Sequence, residues 1–334
     1  MTPERILASA RLFALPLKRE FRGITVREGL LFEGPSGWAE FAPFADHTDE
    51  HAARWLEAAL EQAFGNWPAL VREEVPVNAI IPMCDADTAA AWTEDALDRG
   101  CTTIKVKVGS TDFDDDVARV AAIRATLDDA RIAGAIRIDT NQLWSLDQAA
   151  DRIRVLEAIA GGLEYVEQPV ADRESLRELR RRIDVRIAVD EGIRLEADPA
   201  AALAALHEIA DVAVLKSIPL GGVERALALA ADCALPVVVS GSLDTSVGIA
   251  SGLWLAGSLP QLPFACGFGT GALFVHDVVG SPPRIVDGHL LAQRAVPEVF
   301  DPHGLVDAAM HERWRARLQR AWQHARIPST VKAS

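Results

Sequence analysis

The sequence predicts an α/β protein built on a parallel (β/α)8 (TIM-type) barrel, with a separate region of strands and one helix before it. From about residue 75, short apolar strands alternate with amphipathic helical stretches, roughly one strand every 20 to 30 residues. The strands are nearly continuous in Val, Ile and Leu, as expected for parallel strands covered on both faces. No GxGxxG motif follows the first strand, which disfavours a doubly wound sheet.

Residues 1–74 have the pattern of strands followed by a helix. A strand is predicted around residues 12–17, and two more are joined by Gly34-Pro35-Ser36-Gly37, which is a turn signal. Thr48 is placed to cap a helix whose apolar residues recur at helical spacing. We therefore treat residues 1–74 as an N-terminal α+β unit.

The barrel is assigned to residues 75–275 and a C-terminal segment to residues 276–334. The eight predicted barrel strands are residues 75–82, 102–109, 135–141, 163–169, 185–192, 212–219, 235–242 and a degraded 264–271. Helical runs between them include Asp147 to Ile159 and Glu224 to Asp232. The C-terminal segment contains a turn at residues 285–288 and a helix through Trp314 and Trp322. We expect it to pack back on the N-terminal unit or around the barrel.

The charge balance excludes two classes of partner. With 34 Lys and Arg against 48 Asp and Glu, the net charge is −14. Nucleic acids and anionic membranes both require a basic surface. A bound cation can dominate the local field, so a small carboxylate remains the expected partner. The oligomeric state is left open.

The cysteines and the apolar stretches predict a cytoplasmic protein. Cys84, Cys101, Cys233 and Cys266 form no CxxC pair, and we expect them to be buried and reduced. The N-terminus lacks the apolar region of a signal peptide. The longest apolar stretch, residues 247–259, is interrupted by glycines and is too short to cross a bilayer.

Barrel enzymes carry their reactive groups at the carboxyl ends of the strands, so those positions are the candidates for chemistry. In chain order they are Lys105, Lys107, Asp139, Asn141, Glu167, Asp190, Glu191, Lys216, Ser240, Gly241 and Ser242. Asp139, Glu167 and Asp190 end three successive strands and should converge. Three carboxylates without His or Cys suit Mg²⁺, with Mn²⁺ as a substitute. The sequence therefore predicts a magnesium site at the barrel mouth.

The lysines suggest proton abstraction next to that metal. Lys105 and Lys107 are two residues apart on a strand and should point the same way. Two adjacent ammonium groups are expected to lower each other's pKa, so that one can act as a base. Lys216 ends a strand on the facing side. A bound carboxylate would lie between the two walls, and the enediolate formed from it would be stabilised by the metal and the ammonium groups.

Each residue alone has an ordinary structural explanation. A strand-end Asp is often a helix N-cap, a strand-end lysine is commonly solvated, and Ser240 and Gly241 could simply form a turn. The ordered set of lysines and carboxylates at consecutive strand ends is much harder to explain in this way.

That set resembles the muconate-lactonizing subgroup of the enolase superfamily. The matching motifs are Lys105-Val106-Lys107, Asp139-Thr140-Asn141, Glu167-Gln168-Pro169, Asp190-Glu191 and Lys216. The resemblance covers the whole chain and implies an α+β capping domain built from both termini. It also implies Asp139, Glu167 and Asp190 as Mg²⁺ ligands and a Lys or His base. None of the eight histidines ends a barrel strand, which disfavours the subgroup that uses a His base.

Within the subgroup, the chain is similar to the family of actinobacterial o-succinylbenzoate synthases. The similar segments are residues 21–25, 37–43, 240–242 and 267–270; many relatives have Gly where Ala39 stands. This resemblance implies syn dehydration of 2-succinyl-6-hydroxy-2,4-cyclohexadiene-1-carboxylate in menaquinone biosynthesis. Lys107 would be base and then acid, and Lys216 a cation on the other face.

The resemblance also implies supporting roles. Lys105 would hold the substrate carboxylate, and Asn141 and Glu191 would orient ligands. The succinyl tail would lie near Ser240 and Gly267, under a lid that includes Arg22.

Three alternatives remain open at this point. N-acylamino acid racemases and dipeptide epimerases of the same subgroup use the same two lysines, and some synthases also racemise N-succinylamino acids. A class I aldolase would use Lys216 as a Schiff base, which leaves the carboxylates unexplained. A barrel that only binds a ligand would not need both lysines.

Overall fold

The computed structural model describes residues 2–21 and 23–327. Arg22, which the sequence placed in a lid, lies outside these residues. The strands are β1 (Arg11–Phe21), β2 (Ile24–Gly34), β3 (Gly37–Phe41), β4 (Glu74–Pro76), β5 (Ala79–Ile81), β6 (Thr103–Lys107), β7 (Ala135–Asp139), β8 (Leu163–Glu167), β9 (Ile187–Val189), β10 (Val212–Leu215), β11 (Val237–Val239) and β12 (His289–Leu291). The helices are α1 (Pro3–Ser9), α2 (Asp49–Phe64), α3 (Ala86–Asp98), α4 (Phe113–Asp129), α5 (Leu146–Ala160), α6 (Arg173–Arg182), α7 (Glu191–Arg194), α8 (Pro199–Ala204), α9 (Ser217–Leu220), α10 (Val223–Asp232), α11 (Ser246–Ser258) and α12 (Ala308–His324).

The N-terminal unit is an antiparallel sheet of β1, β2 and β3 covered by α2. The predicted turn is confirmed, since Gly34 pairs with Gly37 at the end of the β2–β3 hairpin. The predicted cap is also confirmed, because the backbone N–H of His51 donates to Thr48 Oγ1 at 3.3 Å. Trp314 and Leu318 of α12 are buried in the core of this unit, so the C-terminal helix packs on it. The domain boundaries themselves stay predictions.

The barrel contains a parallel sheet in the order β5-β6-β7-β8-β9-β10-β11, surrounded by helices. Helix α5 illustrates why the alternation of strands and helices could be predicted, because sequence signals mark both of its ends. Ser145 and Gln148 form a capping box at its start, and Gly161, at a φ of 68°, ends it. The parallel α/β barrel predicted from the sequence is confirmed.

Two predicted barrel strands need correction. Residues 75–82 do not form one strand: β4 pairs antiparallel with β12, and only β5 enters the barrel. Residues 264–271 are not a strand but make single bridges, Val77 with Cys266 and Ser240 with Gly267. These bridges place the segment between the first and last strands of the sheet. Its glycines have low strand propensity, and residues 269–273 wind into a 3-10 helix instead.

Side chains of the N-terminal unit dock it on the barrel mouth. Arg54 of α2 donates hydrogen bonds to the carbonyl oxygens of Arg194, Glu196 and Ala197, at 2.6 to 3.0 Å. These residues follow β9, so the contact holds one of the loops that surround the mouth.

Glu61 of α2 makes a second docking contact. It accepts hydrogen bonds from the backbone N–H groups of Val223 (2.5 Å) and Glu224 (2.8 Å) at the start of α10. A carboxylate there satisfies N–H groups that have no partner within the helix. The N-terminal unit thus meets the barrel through charged side chains at defined loop and helix ends.

The cysteines and the longest helices also bear on the sequence predictions. All four cysteines are free; Cys101 and Cys266 are buried, whereas Cys84 and Cys233 are half-buried, contrary to expectation. Within residues 2–21 and 23–327, no helix combines the length and the apolar character needed to cross a membrane.

Candidate active site

The predicted lysines and carboxylates come together at the barrel mouth. The register of the sheet places Lys107 opposite Asp139, and Asp139 opposite Glu167. Asp190 and Lys216 follow the last residues of β9 and β10. Each of these side chains is at least nine-tenths buried, including Lys105. Charged groups buried at such density require partners or a ligand.

On one side of the mouth, two lysines share carboxylates. The Nζ atom of Lys105 lies 2.8 Å from Asp139 Oδ2 and 2.7 Å from Glu167 Oε2. The Nζ atom of Lys107 lies 2.6 Å from the same Asp139 oxygen and 2.7 Å from Asn141 Oδ1. Both lysines therefore point to one place, as their spacing along the strand predicted.

On the other side, Lys216 is paired with Asp190. Its Nζ atom lies 2.8 Å from Asp190 Oδ2, and Arg194 Nε donates to Asp190 Oδ1 at 3.0 Å. Glu191 lies beside this pair. Its Oε1 atom accepts hydrogen bonds from Arg194 Nη2 (2.7 Å) and Asn141 Nδ2 (3.1 Å), so Glu191 connects the Asp190 side of the mouth to the Lys107 side.

Burial and neighbouring charges determine the ionisation of the lysines. Burial lowers the pKa of Lys107, and the positive charge of Lys105 lowers it further, whereas the negative charge of Asp139 raises it. Burial also opposes the charge on Lys105, but Asp139 and Glu167 outweigh it and raise the pKa. The predicted mutual depression therefore holds for Lys107 and is wrong for Lys105, because Lys105 bridges two carboxylates.

The pKa values of the three carboxyl groups also shift in different directions. Burial disfavours their charged forms, but Lys105 and Lys107 lower the pKa of Asp139, and Arg194 and Lys216 lower that of Asp190. The pKa of Glu167 is instead raised to about 7, by burial and by the negative charge of Asp139 and then Asp190.

A cavity of about 30 Å³ lies over these groups and holds only a few water molecules. Lys107 and Lys216 both line it, from strands on opposite sides of the barrel. Its other lining residues are Phe21, Phe44, Asn78, Ile80, Lys105, Asp139, Asn141, Ser240, Gly241, Ser242, Leu243, Gly267, Gly269 and Thr270. A substrate ring can occupy this space only after some of these side chains move.

Comparison with known proteins identifies the family. Residues 88–298 match the family model described as enolase C-terminal domain-like, and residues 12–63 match enolase N-terminal domain-like. The o-succinylbenzoate synthase of Thermobifida fusca is 46% identical, with 94% of this chain and 97% of that one covered. The Mycolicibacterium smegmatis protein of the same name is also 46% identical, with 88% of each chain covered. The chain belongs to the o-succinylbenzoate synthase family of the enolase superfamily.

Solved structures agree with this assignment at the level of the fold. The L-Ala-D/L-Glu epimerase of Bacillus subtilis aligns with a TM-score of 0.71 at 23% identity, covering 84% of this chain and 94% of that one. Muconate lactonizing enzyme from Pseudomonas fluorescens aligns with a TM-score of 0.71 at 20% identity, covering 86% and 94%. The barrel with its capping domain, formed here by the N-terminal unit and α12, is thus the architecture of the enolase superfamily.

Members of this superfamily generally use Mg²⁺, so the carboxylates can be tested as its ligands. Glu167 Oε1 is buried without a hydrogen-bond partner among the described residues, and its neighbours repel its charge. A divalent cation relieves such repulsion, and three carboxylates match the oxygen ligands that Mg²⁺ or Mn²⁺ prefers. In the described residues, however, no three His, Cys, Asp or Glu side chains are spaced to hold a metal, and Lys105 and Lys107 contact the carboxylate of Asp139 instead. The donor set fits the ion chemically, and binding requires the ammonium groups to turn away.

Several site residues of this family member were not predicted from the sequence. Gln168 Oε1 accepts from the backbone N–H groups of Asp190 (3.2 Å) and Gly192 (3.0 Å), and so holds the loop that carries Asp190. Its place in Glu167-Gln168-Pro169 was the available signal. Phe21 and Phe44 reach the cavity from the capping domain; Phe21 lies in the segment 21–25 that the resemblance singled out, whereas no sequence pattern marked Phe44.

Proposed function

We propose that this protein is an o-succinylbenzoate synthase: it converts 2-succinyl-6-hydroxy-2,4-cyclohexadiene-1-carboxylate to 2-succinylbenzoate and water, in the cytoplasm, as a step of menaquinone biosynthesis. The observation that carries the proposal is the pair of lysines, Lys107 and Lys216, that line one cavity from opposite sides of the barrel. Relatives of that name at 46% identity over nearly the whole chain support the same reaction.

Lys107 is the proposed base. Neutral Lys107 removes the proton α to the ring carboxylate, and burial together with the charge of Lys105 favours that neutral form. Protonated Lys107 then returns the proton to the hydroxyl group that leaves on the same face. The C–H and C–O bonds break, a ring double bond forms and water departs, which leaves Lys107 neutral again. Aromatisation supplies the driving force.

Lys216 is the proposed electrostatic partner. Its ammonium group lies on the opposite wall and stabilises the negative charge that develops when the proton leaves. No proton transfer by Lys216 is needed, because the proton is removed and returned on the Lys107 side.

Asp139, Glu167 and Asp190 are the proposed holders of Mg²⁺, with Mn²⁺ as a substitute. The bound ion supplies positive charge that stabilises the substrate carboxylate as its electron density rises. Lys105, whose Nζ atom contacts Asp139 and Glu167 in this structure, favours the ionised form of both acids and disfavours the charge on Lys107.

The test is a direct assay of the purified protein with the cyclohexadiene substrate, beside N-succinylphenylglycine, with and without EDTA. We expect dehydration that EDTA abolishes and added Mg²⁺ restores. Failure to dehydrate the substrate in the presence of Mg²⁺ would contradict the proposal.

Racemisation of N-acylamino acids is the second candidate. Two lysines on opposite walls of one cavity could also exchange a proton across a flat intermediate, one removing it and the other returning it. Racemisation of N-succinylphenylglycine beside dehydration would establish both activities. Racemisation alone would replace the first proposal.

A further inference from the structure

Glu40 belongs to capping strand β3, yet its carboxylate is buried against the barrel. Its Oε2 accepts hydrogen bonds from Thr245 N (3.0 Å), Thr245 Oγ1 (2.6 Å) and Gly248 N (3.2 Å), at the start of α11. A Cβ atom at Gly248 would lie only 2.6 Å from Glu40 Oε2, so glycine permits the close approach. Glu40 therefore anchors the capping domain to the helix that follows β11.

A second buried acid, Asp244, lies beside it. Asp244 Oδ2 accepts from the backbone N–H of Ser242 at 2.7 Å. The other oxygen of each acid, Asp244 Oδ1 and Glu40 Oε1, is buried without a hydrogen-bond partner among the described residues. A buried oxygen without a donor is costly on an ionised carboxylate, so burial favours the protonated form of both acids.

Neighbouring positive charges and burial act in opposite directions on the two acids. Arg27 of β2 is buried, and its charge favours ionisation of both acids. Its Nε donates to the carbonyl oxygen of Leu243 at 3.0 Å. The charge of Lys216 also favours ionisation of Asp244, although Lys216 itself forms an ion pair with Asp190. Burial outweighs these positive charges and raises the pKa of both acids.

These contacts converge on a short loop that forms one wall of the cavity. Ser240, Ser242 and Leu243 line the cavity, and Leu243 has a φ of 63°, which a leucine adopts only under constraint. The constraint is visible: Asp244 holds the N–H of Ser242, and Arg27 holds the carbonyl oxygen of Leu243. Glu40 holds the first turn of the helix that begins directly after the loop.

We propose that Glu40 is a positioning residue for the substrate tail: with Asp244 and Arg27 it holds residues 240–244 and the start of α11 in the conformation that walls the cavity. The part that concerns the substrate rests on the proposed dehydration. The part that concerns the loop does not, so the two can be tested separately.

The experiment compares Glu40→Ala with Glu40→Gln. Gln keeps a side-chain acceptor for the start of α11, whereas Ala removes it. We expect Glu40→Ala to lower kcat/KM by on the order of 100-fold, mainly through KM, and Glu40→Gln to stay within about twofold of the wild type. Without substrate, hydrogen exchange of residues 240–248 should rise in Glu40→Ala only.

Glu61→Ala is the matched control. Glu61 also caps a barrel helix from the capping domain, but it holds α10 and does not contact residues 240–244. It should leave both KM and the exchange of residues 240–248 unchanged. An equal effect of Glu61→Ala would mean that general loosening of the capping domain, and not Glu40, explains the result.

Two further outcomes are decisive. If Glu40→Gln is as damaging as Glu40→Ala, the acceptor that holds the start of α11 does not explain the role of Glu40. If the wild type does not dehydrate the substrate but the exchange results hold, the proposed function fails and the loop anchor stands. Should Glu40→Ala not fold, Glu40→Asp takes its place, since the shorter side chain cannot reach Thr245 and Gly248 from β3.

Discussion

Lys107 Nζ lies 2.6 Å from Oδ2 of Asp139, the residue directly opposite it in the β6–β7 register. The same oxygen also contacts Lys105, so two ammonium groups compete for one carboxylate. Because Lys105 also contacts a second carboxylate, Glu167, it retains its charge; burial, and then the charge of Lys105, lower the pKa of Lys107. The geometry thus distinguishes two lysines that the sequence pattern treats alike.

Lys107→Ala should abolish dehydration while leaving Mg²⁺ binding intact. Loss of a general base costs about 10² to 10⁴-fold in kcat. Single-turnover rates measure the loss, and calorimetric titration with Mg²⁺ checks the metal site. Lys18→Ala is the matched control, since Lys18 is exposed, does not line the cavity and donates to the carbonyl oxygen of Ala272. Substantial turnover by Lys107→Ala would remove Lys107 as the base.

Replacement of Lys216 should separate a cationic role from proton transfer. Lys216→Ala should lower kcat by about 10² to 10³-fold, the range seen when one stabilising donor is removed from a developing anion. Lys216→Arg should keep most of the dehydration but lose any racemisation of N-succinylphenylglycine, because arginine stays charged and cannot take up a proton. A Lys216→Arg variant that loses both activities equally would contradict the electrostatic role.

Glu167→Gln should remove the stabilisation that Mg²⁺ gives the wild type. A ligand that binds only the folded state raises the free energy of unfolding by about 2.7 kcal/mol at 100 times its Kd. Thermal melts with Mg²⁺ or with EDTA measure this shift without any substrate. Lys107→Ala, which leaves the three carboxylates in place, is the control and should keep the shift. An unchanged Mg²⁺ effect in Glu167→Gln would show that the ion binds elsewhere.

The pH dependence of stability should reveal Glu40. Burial, and then the charge of Asp244, raise its pKa from 4.5 to about 7. The folded state therefore holds a proton that the unfolded state has lost, so this group's contribution to stability falls as the pH rises from about 4.5 to 7. The loss reaches at most about 3 kcal/mol. Urea unfolding of the wild type and Glu40→Gln across this range isolates the effect, and parallel curves for the two proteins would contradict it.

Gly248→Ala should destabilise the protein by about 1 to 3 kcal/mol, because the added methyl group meets Glu40 Oε2 at 2.6 Å and Asp244 Cβ at 3.0 Å. Gly271→Ala is the control, since a Cβ there has no neighbour within 4 Å. Urea unfolding at one pH compares the two variants. Equal stabilities would mean that the Glu40 contact yields easily.

The sequence by itself determined the barrel and which charged groups meet at its mouth. Parallel strands end at one edge, and residues two apart on a strand share a face, so the positions of Lys105, Lys107, Asp139, Glu167 and Lys216 follow from strand order alone. Strand order and the alternation of side chains along a strand can both be recognised in a single sequence.

Tertiary structure decided what depends on distant partners. The eighth strand is reduced to bridges at Cys266 and Gly267 because pairing depends on its neighbours as well as on its own residues. Lys105 keeps its charge because two carboxylates from other strands reach it. Phe21 and Glu40 act on the barrel from the capping domain. Hydrogen bonds and ion pairs act over only a few ångströms, so the partners of such residues are decided by how the whole chain folds and not by the residues beside them in the sequence.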